Sequence, residues 1–158
     1  MSEFVARIAG GVADLPKAQW DACAGSANPF VSWDFLTALE QSGSVGPGTG
    51  WQPLPIVIDG PDGTIAAAAP LYAKTHSQGE YVFDHGWADA WERAGGQYYP
   101  KIQIAAPFSP VPGPRLLVRD STLGPALIAG IETLVERNDL SSAHATFVDP
   151  DQIALFEP

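Results

Sequence analysis

The chain has 158 residues, 46% of them hydrophobic and 16% charged, and its 18 acidic against 8 basic side chains give a net charge of −10. This length suits one domain that buries roughly 70% of its unfolded surface. Because affinity for nucleic acid depends on lysine and arginine displacing counterions, the acidic balance argues against direct nucleic-acid binding.

Cysteine content and hydropathy indicate the compartment. Cys23 is the only cysteine, which excludes an internal disulfide, and we interpret it as a small buried helix residue. No segment approaches the roughly 20 consecutive apolar residues that span a bilayer, and the N-terminus does not resemble a signal peptide. We therefore expect a cytoplasmic protein with no membrane insertion.

The first predicted elements are a strand and two helices. Residues 3–9 alternate apolar and wetter positions, which is typical of a strand. Asp14 is placed to cap a helix over 15–24, and a second helix begins after Ser32 and ends before Gly43.

The glycine-rich segment 42–50 invites comparison with phosphate-binding loops. Those loops run from a strand into a helix N-terminus, whereas this segment runs from a helix into residues 51–59. Pro53 and Pro55 confine that following stretch to an edge or irregular strand. We interpret 42–50 as a connector.

Three strands are predicted next. Strands at 54–59 and 64–74 flank turn-forming residues at 60–63, and Pro70 rules out a helix through the neighbouring alanines. Residues 80–84, EYVFD, alternate and predict the third strand.

A short tryptophan helix follows these strands. Asp84 is placed as its N-cap, and Gly95 and Gly96 end it. Trp87 and Trp91 share one face with two alanines at helical spacing. We expect both tryptophans to pack in the core.

The strand predicted at 100–106 has two different faces. Ile102 and Ile104 alternate with Lys101 and Gln103. The isoleucine face suits the core, and we expect the other face to be available to a ligand or to water.

The C-terminal part is predicted to contain a helix, a strand and a further helix. After a proline-rich loop, an amphipathic helix extends from Ser121 or Thr122 to about Arg137, and a strand covers 141–148. Asp149 and Gln152 then have the spacing of an N-cap and its capping-box partner.

The order of these elements predicts an α/β domain with a mixed sheet. Because it opens with a strand and two helices and later places a long helix between two strands, it resembles the front part of the GNAT acyltransferase fold. Four blocks together resemble the N-terminal half of the FemAB-like family. They read NPFVSWDFLTALEQSGSV, GWQPLPIVI, PLYAKTHSQGEYVFDHGWADAWERAGGQYYPKIQIAAPFSPVPGPRLLV and LSSAHATFV.

Members of this family are similar to the peptidoglycan aminoacyltransferases, which carry two GNAT-like halves. They are described as N-acyltransferases or as peptidoglycan biosynthesis or recognition proteins. The resemblance implies that residues 1–158 form the N-terminal GNAT-like domain, truncated before the last strands of its sheet. It also implies that the C-terminal half is a missing partner, so that this chain alone is expected to be inactive.

The resemblance leaves two acyl donors open. GNAT enzymes that use acetyl-CoA hold its pyrophosphate on backbone N–H groups of a glycine-containing loop, often Q/R-x-x-G-x-G/A. The matching connection here, PFSPVPGPRLLVRDSTLG, is proline-rich, and proline lacks that donor. This departure favours aminoacyl-tRNA, the donor of Fem-type enzymes, over acetyl-CoA.

Candidate chemistry concentrates in residues 74–91. His76 and Glu80 are the candidate general acid or base, since transfer to an amine requires a proton to leave the attacking nitrogen. Ligand contact and a structural hydrogen-bond network are the alternatives for both. Together with Asp84 and His85 they do not have the spacing of a closed metal site, and we predict no bound metal.

Six residues are candidate substrate contacts. Basic side chains in an acidic chain can pair with a phosphate or carboxylate, with ordinary salt bridges as the alternative. Tyrosine rings stack on sugars and peptides, and a histidine on a polar strand face suits a cleft. The six are Lys74, Tyr81, Tyr99, Lys101, Arg115 and His144.

The resemblance and these residues predict part of a FemAB-like N-acyltransferase or aminoacyltransferase. Its acceptor is an amine-bearing small molecule, peptide or sugar, such as a peptidoglycan precursor, and the amine attacks an activated acyl carbonyl. Two other functions stay open: a non-catalytic module that binds the acceptor, and an acetyl-CoA-dependent N-acetyltransferase.

Overall fold

The computed structural model describes residues 4–157. Its strands are β1 (Ala6–Ile8), β2 (Trp51–Pro53), β3 (Ile56–Asp59), β4 (Ile65–Ala69), β5 (Leu71–Lys74), β6 (Lys101–Ile104), β7 (Leu117–Val118) and β8 (Ala143–Ala145). Its α-helices are α1 (Lys17–Ala24), α2 (Trp33–Gln41), α3 (His85–Arg93) and α4 (Gly124–Arg137). Short 3₁₀ turns cover Val12–Asp14, Pro29–Val31, Ser121–Leu123 and Pro150–Leu155. None of these helices combines the length and apolar character needed to cross a bilayer.

The strands form two four-stranded sheets. The first has the order β1–β3–β4–β7, and all its neighbours are antiparallel. The second has the order β2–β5–β6–β8, in which β6 and β8 run parallel and the other neighbours antiparallel. The predicted α/β class with a mixed sheet is confirmed.

Pro70 separates the two sheets. The strand predicted at 64–74 is divided there into β4 and β5, which follow each other directly but belong to different sheets. Proline has no N–H to donate, so one continuous ladder cannot run through this residue. The predicted hairpin is confirmed in β3 and β4, where Ile56 lies opposite Ala69.

The first sheet packs against helices on both faces. One face places Ile56 against Leu127 and Ile131 of α4. The other face places Val57 in a cluster with Trp20 of α1 and residues of α2. Burying each such side chain stabilises the fold by about 1.5–3 kcal/mol, which fixes the sheet between the helices.

Helix α4 approaches the first sheet most closely at Gly130. A Cβ at this position would lie 2.9 Å from Cδ1 of Ile56 and 3.0 Å from the Cβ of Ala6. Packed side chains do not tolerate contacts this short, so the helix-to-sheet distance requires glycine here.

Cys23 is buried on α1, as predicted. Its Sγ lies 3.5 Å from the carbonyl oxygen of Ile65, and burial raises the pKa of the thiol to about 11. Because the thiolate is the reactive form, this cysteine packs and does not react at neutral pH.

The predicted start of the second helix is confirmed and that of the first is wrong. Ser32 caps α2 by accepting a hydrogen bond from the third helical N–H. Asp14 lies in a 3₁₀ turn instead of capping a helix, and α1 begins at Lys17. Leu15 precedes Pro16, and a residue before proline is held in extended backbone, which delays the helix.

Three predicted strands are present but shorter. β1 occupies part of the predicted 3–9, of which Glu3 lies outside the described residues. β6 and β8 lie within the predicted 100–106 and 141–148. Beyond Thr146, whose N–H still donates to Ile104 of β6, the chain turns towards the proline-rich loop, where Gly113 donates to the Phe147 carbonyl.

Residues 80–84 form a loop, so the strand predicted there was wrong. Tyr81 has a φ of 59°, which interrupts extended backbone. Glu80 turns inward and accepts a hydrogen bond from Lys101. Glu80 and Asp84 are the buried residues of this segment and the three residues between them are exposed, so its apolar alternation does not mark a sheet face.

The tryptophan helix is confirmed as α3, but its tryptophans are not in the core. Trp87 is 77% exposed and Trp91 is 56% exposed, whereas Ala88 is buried. The prediction of core packing was wrong because the face that the tryptophans share borders a surface groove.

The C-terminal turn is capped differently from the prediction. Asp149 makes no side-chain capping bond at Pro150–Leu155. Gln152 accepts hydrogen bonds from the N–H groups of Arg115 and Leu116 and donates one to the Leu116 carbonyl. Its amide side chain takes the place of a neighbouring strand, so the capping-box prediction was wrong.

Candidate functional site

One face of the second sheet is polar. Trp51 lies opposite Lys74, which lies opposite Lys101 on the next strand. Gln103 lies opposite His144 across the parallel pair. Directly paired residues point to the same side of a sheet. The polar face therefore consists of Trp51, Tyr72, Lys74, Lys101, Gln103 and His144.

Most of the polar face is covered. Lys101 and Gln103 are fully buried, so the prediction that their face is open was wrong at these positions. The cover is the loop that carries Glu80 and leads into α3 at Asp84. Only at its edge, where His144 is 35% exposed, does the polar face reach the surface.

Two buried lysines are neutralised by two acids. Lys101 donates to Glu80 at 2.9 Å and to Asp84 at 2.5 Å. The ammonium of Lys74 lies 3.7 Å from the other oxygen of Glu80. Like charges directly opposite each other on a sheet repel, and the two carboxylates between them remove that repulsion. These four side chains, Lys74, Glu80, Asp84 and Lys101, form what we name the ion cluster.

Within the ion cluster, the pKa values of Lys74, Glu80 and Asp84 are shifted in different directions. Burial lowers the pKa of Lys74 to about 8 and raises that of Glu80 above its usual value. Burial also acts to raise the pKa of Asp84, but hydrogen bonds from Lys101 and Tyr98 outweigh it and lower the pKa. Asp84 is therefore the firmly ionised acid.

Lys74 is held by groups of the protein on every side. Its ammonium lies 3.6 Å from the ring centroid of Trp51 and donates to the Gln78 carbonyl at 3.2 Å. The indole N–H of Trp51 donates to the same carbonyl at 3.0 Å. The cation–π contact and shared carbonyl tie the covering loop to the sheet.

His144 links the ion cluster to solvent. Its Nδ1 lies 3.6 Å from Oδ2 of Asp84, and its Nε2 lies 3.0 Å from Oγ of Ser142. Burial, then the charge of Lys101, lower the pKa of His144 below its ordinary value despite the nearby carboxylate. The imidazole is therefore neutral at pH 7 and able to accept a proton.

A groove of about 350 Å³ opens beside His144. This volume falls within the about 300–1,000 Å³ typical of small-ligand sites. One wall is α3 with its exposed indole rings, and the other is the end of β8 and the residues before it. The lining residues are Trp87, Ala90, Trp91, Tyr98, Ser141, Ser142 and His144.

His76, a predicted acid or base, lies away from this groove. Its Nε2 donates to the Thr49 carbonyl at 2.9 Å, and its Nδ1 accepts from the Gln78 N–H at 3.1 Å. Both ring nitrogens are thus occupied by backbone groups. The imidazole joins the glycine-rich connector to the covering loop.

Neither of the two tyrosines predicted as substrate contacts lines the groove. Tyr81 is 53% exposed and lies outside the groove lining, and the Tyr99 hydroxyl hydrogen-bonds with Ser77. Tyr98 lines the groove, and its hydroxyl donates to Asp84 at 2.8 Å. Tyr98 is therefore the tyrosine that the fold brings to His144.

Arg115 is fully buried and fastens the proline-rich loop. Its guanidinium donates to the carbonyls of Thr146, Pro114 and Val111 at 2.9–3.1 Å. The N–H groups of the loop at residues 108, 109, 111, 113, 115 and 116 also donate to protein acceptors. These backbone N–H groups of the loop are therefore already hydrogen-bonded within the protein.

The sequence reasoning did not assign Ser142, Trp87 or Trp91 to a ligand site. The available signal was the spacing of Ser142 and His144, which places both on one face of a strand. Across residues 4–157, no group of three or more His, Cys, Asp or Glu side chains is arranged to hold a metal ion.

Comparisons with known proteins give one match. The family model for FemAB-like proteins, described as peptidoglycan biosynthesis/recognition, matches residues 11–158. No curated protein and no solved structure matches the chain.

Proposed function

This chain belongs to the FemAB-like family of peptidoglycan biosynthesis and recognition proteins, and on that premise we propose that it binds the amine-bearing acceptor of an N-acyltransferase or aminoacyltransferase. The acceptor is a peptidoglycan precursor, and residues 1–158 supply a GNAT-like domain of the enzyme. The observation that carries the proposal is the groove in which Trp87 and Trp91 face His144.

Two exposed tryptophans on one helix face support acceptor binding. Indole rings left this open to solvent are unusual on a surface and mark a place where another molecule packs. Sugar rings and peptide side chains stack on such rings, while Ser141, Ser142 and Tyr98 supply polar atoms on the opposite wall. The groove therefore suits a molecule with apolar faces and polar edges, such as a glycopeptide.

His144 is the proposed general base. As the acceptor nitrogen forms a bond with the acyl carbon, its proton passes to Nε2 of His144, and the bond from the acyl carbon to the ester oxygen that carried it breaks. The imidazolium then returns the proton to the leaving oxygen. Asp84, close to Nδ1, stabilises the imidazolium during the transfer.

The ion cluster positions this base and does not contact the substrate. Lys101 holds Asp84 ionised and in place, and Glu80 and Lys74 complete the neutral network behind it. Of the six predicted substrate contacts, His144 keeps that role in the proposal. Lys74 and Lys101 belong to the ion cluster, which holds Asp84 in place beside His144.

The proposed donor is an activated ester such as an aminoacyl ester of tRNA, bound with the help of other parts of the enzyme. Six N–H groups of the proline-rich loop already donate within the protein, which disfavours a pyrophosphate at that position. Calorimetry with acetyl-CoA is expected to give no heat of binding.

Calorimetry with a soluble muramyl pentapeptide that carries a free side-chain amine tests acceptor binding. We expect binding by the wild type and a loss of about tenfold in affinity for Trp87→Ala, equivalent to about 1.4 kcal/mol. Phe83→Ala is the matched control, because Phe83 is also mostly exposed, at 67% against 77% for Trp87, but does not line the groove. No binding by the wild type would refute the proposed acceptor.

A binding module without chemistry is the second candidate, and the exposed tryptophans favour it as much as they favour an enzyme. His144→Gln separates the two. If the full enzyme that contains this domain transfers acyl groups, its amide formation, followed by mass spectrometry, falls at least about 100-fold in this variant while acceptor affinity changes little. If it only binds, no amide forms even in the wild type.

A further inference from the structure

We propose that Ser142 is a nucleophile that carries the acyl group as a covalent ester, with His144 as its base and Asp84 as the group that orients the base. Nothing in the family description implies a covalent intermediate. The proposal depends on the arrangement of three side chains at one end of the groove.

Ser142 lies at the groove, beside the base. Ser142 and His144 are two residues apart, with β8 beginning between them, so both point to the same side of the strand. The Ser142 Oγ lies 3.0 Å from Nε2 of His144, and both residues line the groove. The hydroxyl is therefore both next to a base and open to a ligand.

The protonation state and tautomer of His144 suit a base. His144 is neutral at pH 7, and the carboxylate of Asp84 lies 3.6 Å from Nδ1, on the far side of the ring from Ser142. A nearby carboxylate favours the tautomer with its proton on Nδ1, which leaves Nε2 free to accept from the serine hydroxyl. The 3.6 Å separation is longer than a hydrogen bond, and catalytic contacts that are long without substrate tighten to hydrogen-bond distance when the substrate binds.

Asp84, the orienting acid, is held rigidly. Asp84 accepts from Lys101 at 2.5 Å and from Tyr98 at 2.8 Å, so its position is set before any substrate binds. A nucleophile, a base and an orienting acid are recognised by their mutual geometry and not by their order in a chain.

Ser141 shows that the arrangement is specific to one of two adjacent serines. Its Oγ donates to the Tyr98 carbonyl and is engaged with backbone. Ser142 instead shares its hydroxyl with an imidazole. The pair supplies an internal comparison for experiments.

The proposed reaction has two stages. The Ser142 oxygen bonds to the acyl carbon of an activated ester while its proton moves to Nε2 of His144. The bond from the acyl carbon to the leaving oxygen breaks, and that oxygen takes the proton from the imidazolium. The acceptor amine then attacks the serine ester, giving its proton to His144, which returns it to Ser142 as the amide is released.

This inference rests on the proposed function only for the identity of donor and acceptor. A fluorophosphonate probe needs neither, because the serine oxygen displaces fluoride and becomes phosphonylated. Incubation of the wild-type chain with such a probe, followed by peptide mapping in a mass spectrometer, reads out the nucleophile directly. Near-ultraviolet circular dichroism confirms that each variant is folded.

We expect one adduct, on Ser142. Ser142→Ala is expected to abolish it, Ser141→Ala to retain it, and His144→Gln to slow labelling at least about 100-fold. An unlabelled but folded wild type overturns the inference, as does labelling at Ser141 or labelling at Ser142 that does not depend on His144. Labelling without acceptor binding would uphold Ser142 as a nucleophile while refuting the proposed acceptor.

Discussion

The ammonium of Lys101 lies 2.5 Å from the carboxylate of Asp84 and is completely buried. Lys101→Met removes the only direct ion-pair partner of Asp84 in the ion cluster and half of the charge that neutralises Glu80. We expect the free energy of unfolding to fall by about 3–5 kcal/mol, because an acid that remains buried loses its counter-charge. Urea unfolding followed by tryptophan fluorescence measures the change.

The matched control is a surface ion pair. Arg7 donates to Asp59 at 2.7 Å, and both side chains are about a third exposed or more. Solvent screens such pairs, so Arg7→Ala is expected to cost at most about 1 kcal/mol. Equal losses for Lys101→Met and Arg7→Ala would contradict the description of the ion cluster as buried and structurally required.

The lowered pKa of Lys74 predicts an unusual pH dependence of stability. With a folded pKa of about 8 against an ordinary 10.5, the unfolded chain binds more protons between these two pH values. The contribution of Lys74 to the free energy of unfolding therefore rises from pH 8 to 10.5, by up to about 3 kcal/mol at about 1.4 kcal/mol per pKa unit. The free energy of unfolding is measured against pH for the wild type and for Lys74→Met, and the difference between the two curves isolates the contribution of Lys74. A difference that does not change with pH would refute the lowered pKa of Lys74.

Substitution of the buried Trp51 and substitution of the exposed Trp87 are expected to change different properties of the protein. Trp51 is 1% exposed, so Trp51→Ala is expected to cost about 3–5 kcal/mol of folding stability. Trp87→Ala is expected to change stability by less than about 0.5 kcal/mol and to act on acceptor binding instead. Thermal unfolding of both variants checks this, and a strongly destabilised Trp87→Ala would mean that the indole packs against the fold.

The hydrogen bonds of Gln152 predict a further effect on stability. Its side chain makes three hydrogen bonds to the backbone of Arg115 and Leu116. Gln152→Ala leaves these groups without their partner at the start of β7, and we expect a loss of about 2–4 kcal/mol. Gln152→Glu keeps the acceptor but loses the donor, so it is expected to fall between wild type and alanine. Equal stability of the wild type and the two variants would refute this structural role of Gln152.

Local signals predicted most helices and strands. The Ser32 cap of α2 and the apolar stripe of α4 depend on interactions within a few residues, which the sequence displays directly. Pro70 was visible in the sequence, but the sequence did not show that the strands on either side of it belong to different sheets. Which sheet each strand joins depends on partners distant in sequence.

The candidate site was harder to predict for the same reason. Helical spacing shows that Trp87 and Trp91 share a face, but not whether a core or a groove lies beside it. Glu80 and Asp84 meet Lys101 only because a loop folds over the sheet. The polar strand face that includes Ser142 and His144 was readable from alternation, whereas its approach to Asp84 was not.

Assigned ring signals of the three histidines, followed by NMR, test the central claim most directly. His144 is expected to titrate below its ordinary pKa of 6.5, and its ring resonances alone are expected to shift on addition of the muramyl pentapeptide. His76 is tied to backbone, and His85 stacks on Phe83 at 5.9 Å outside the groove. Shifts at His76 or His85 with none at His144 would contradict the proposal that the acceptor amine is bound at His144.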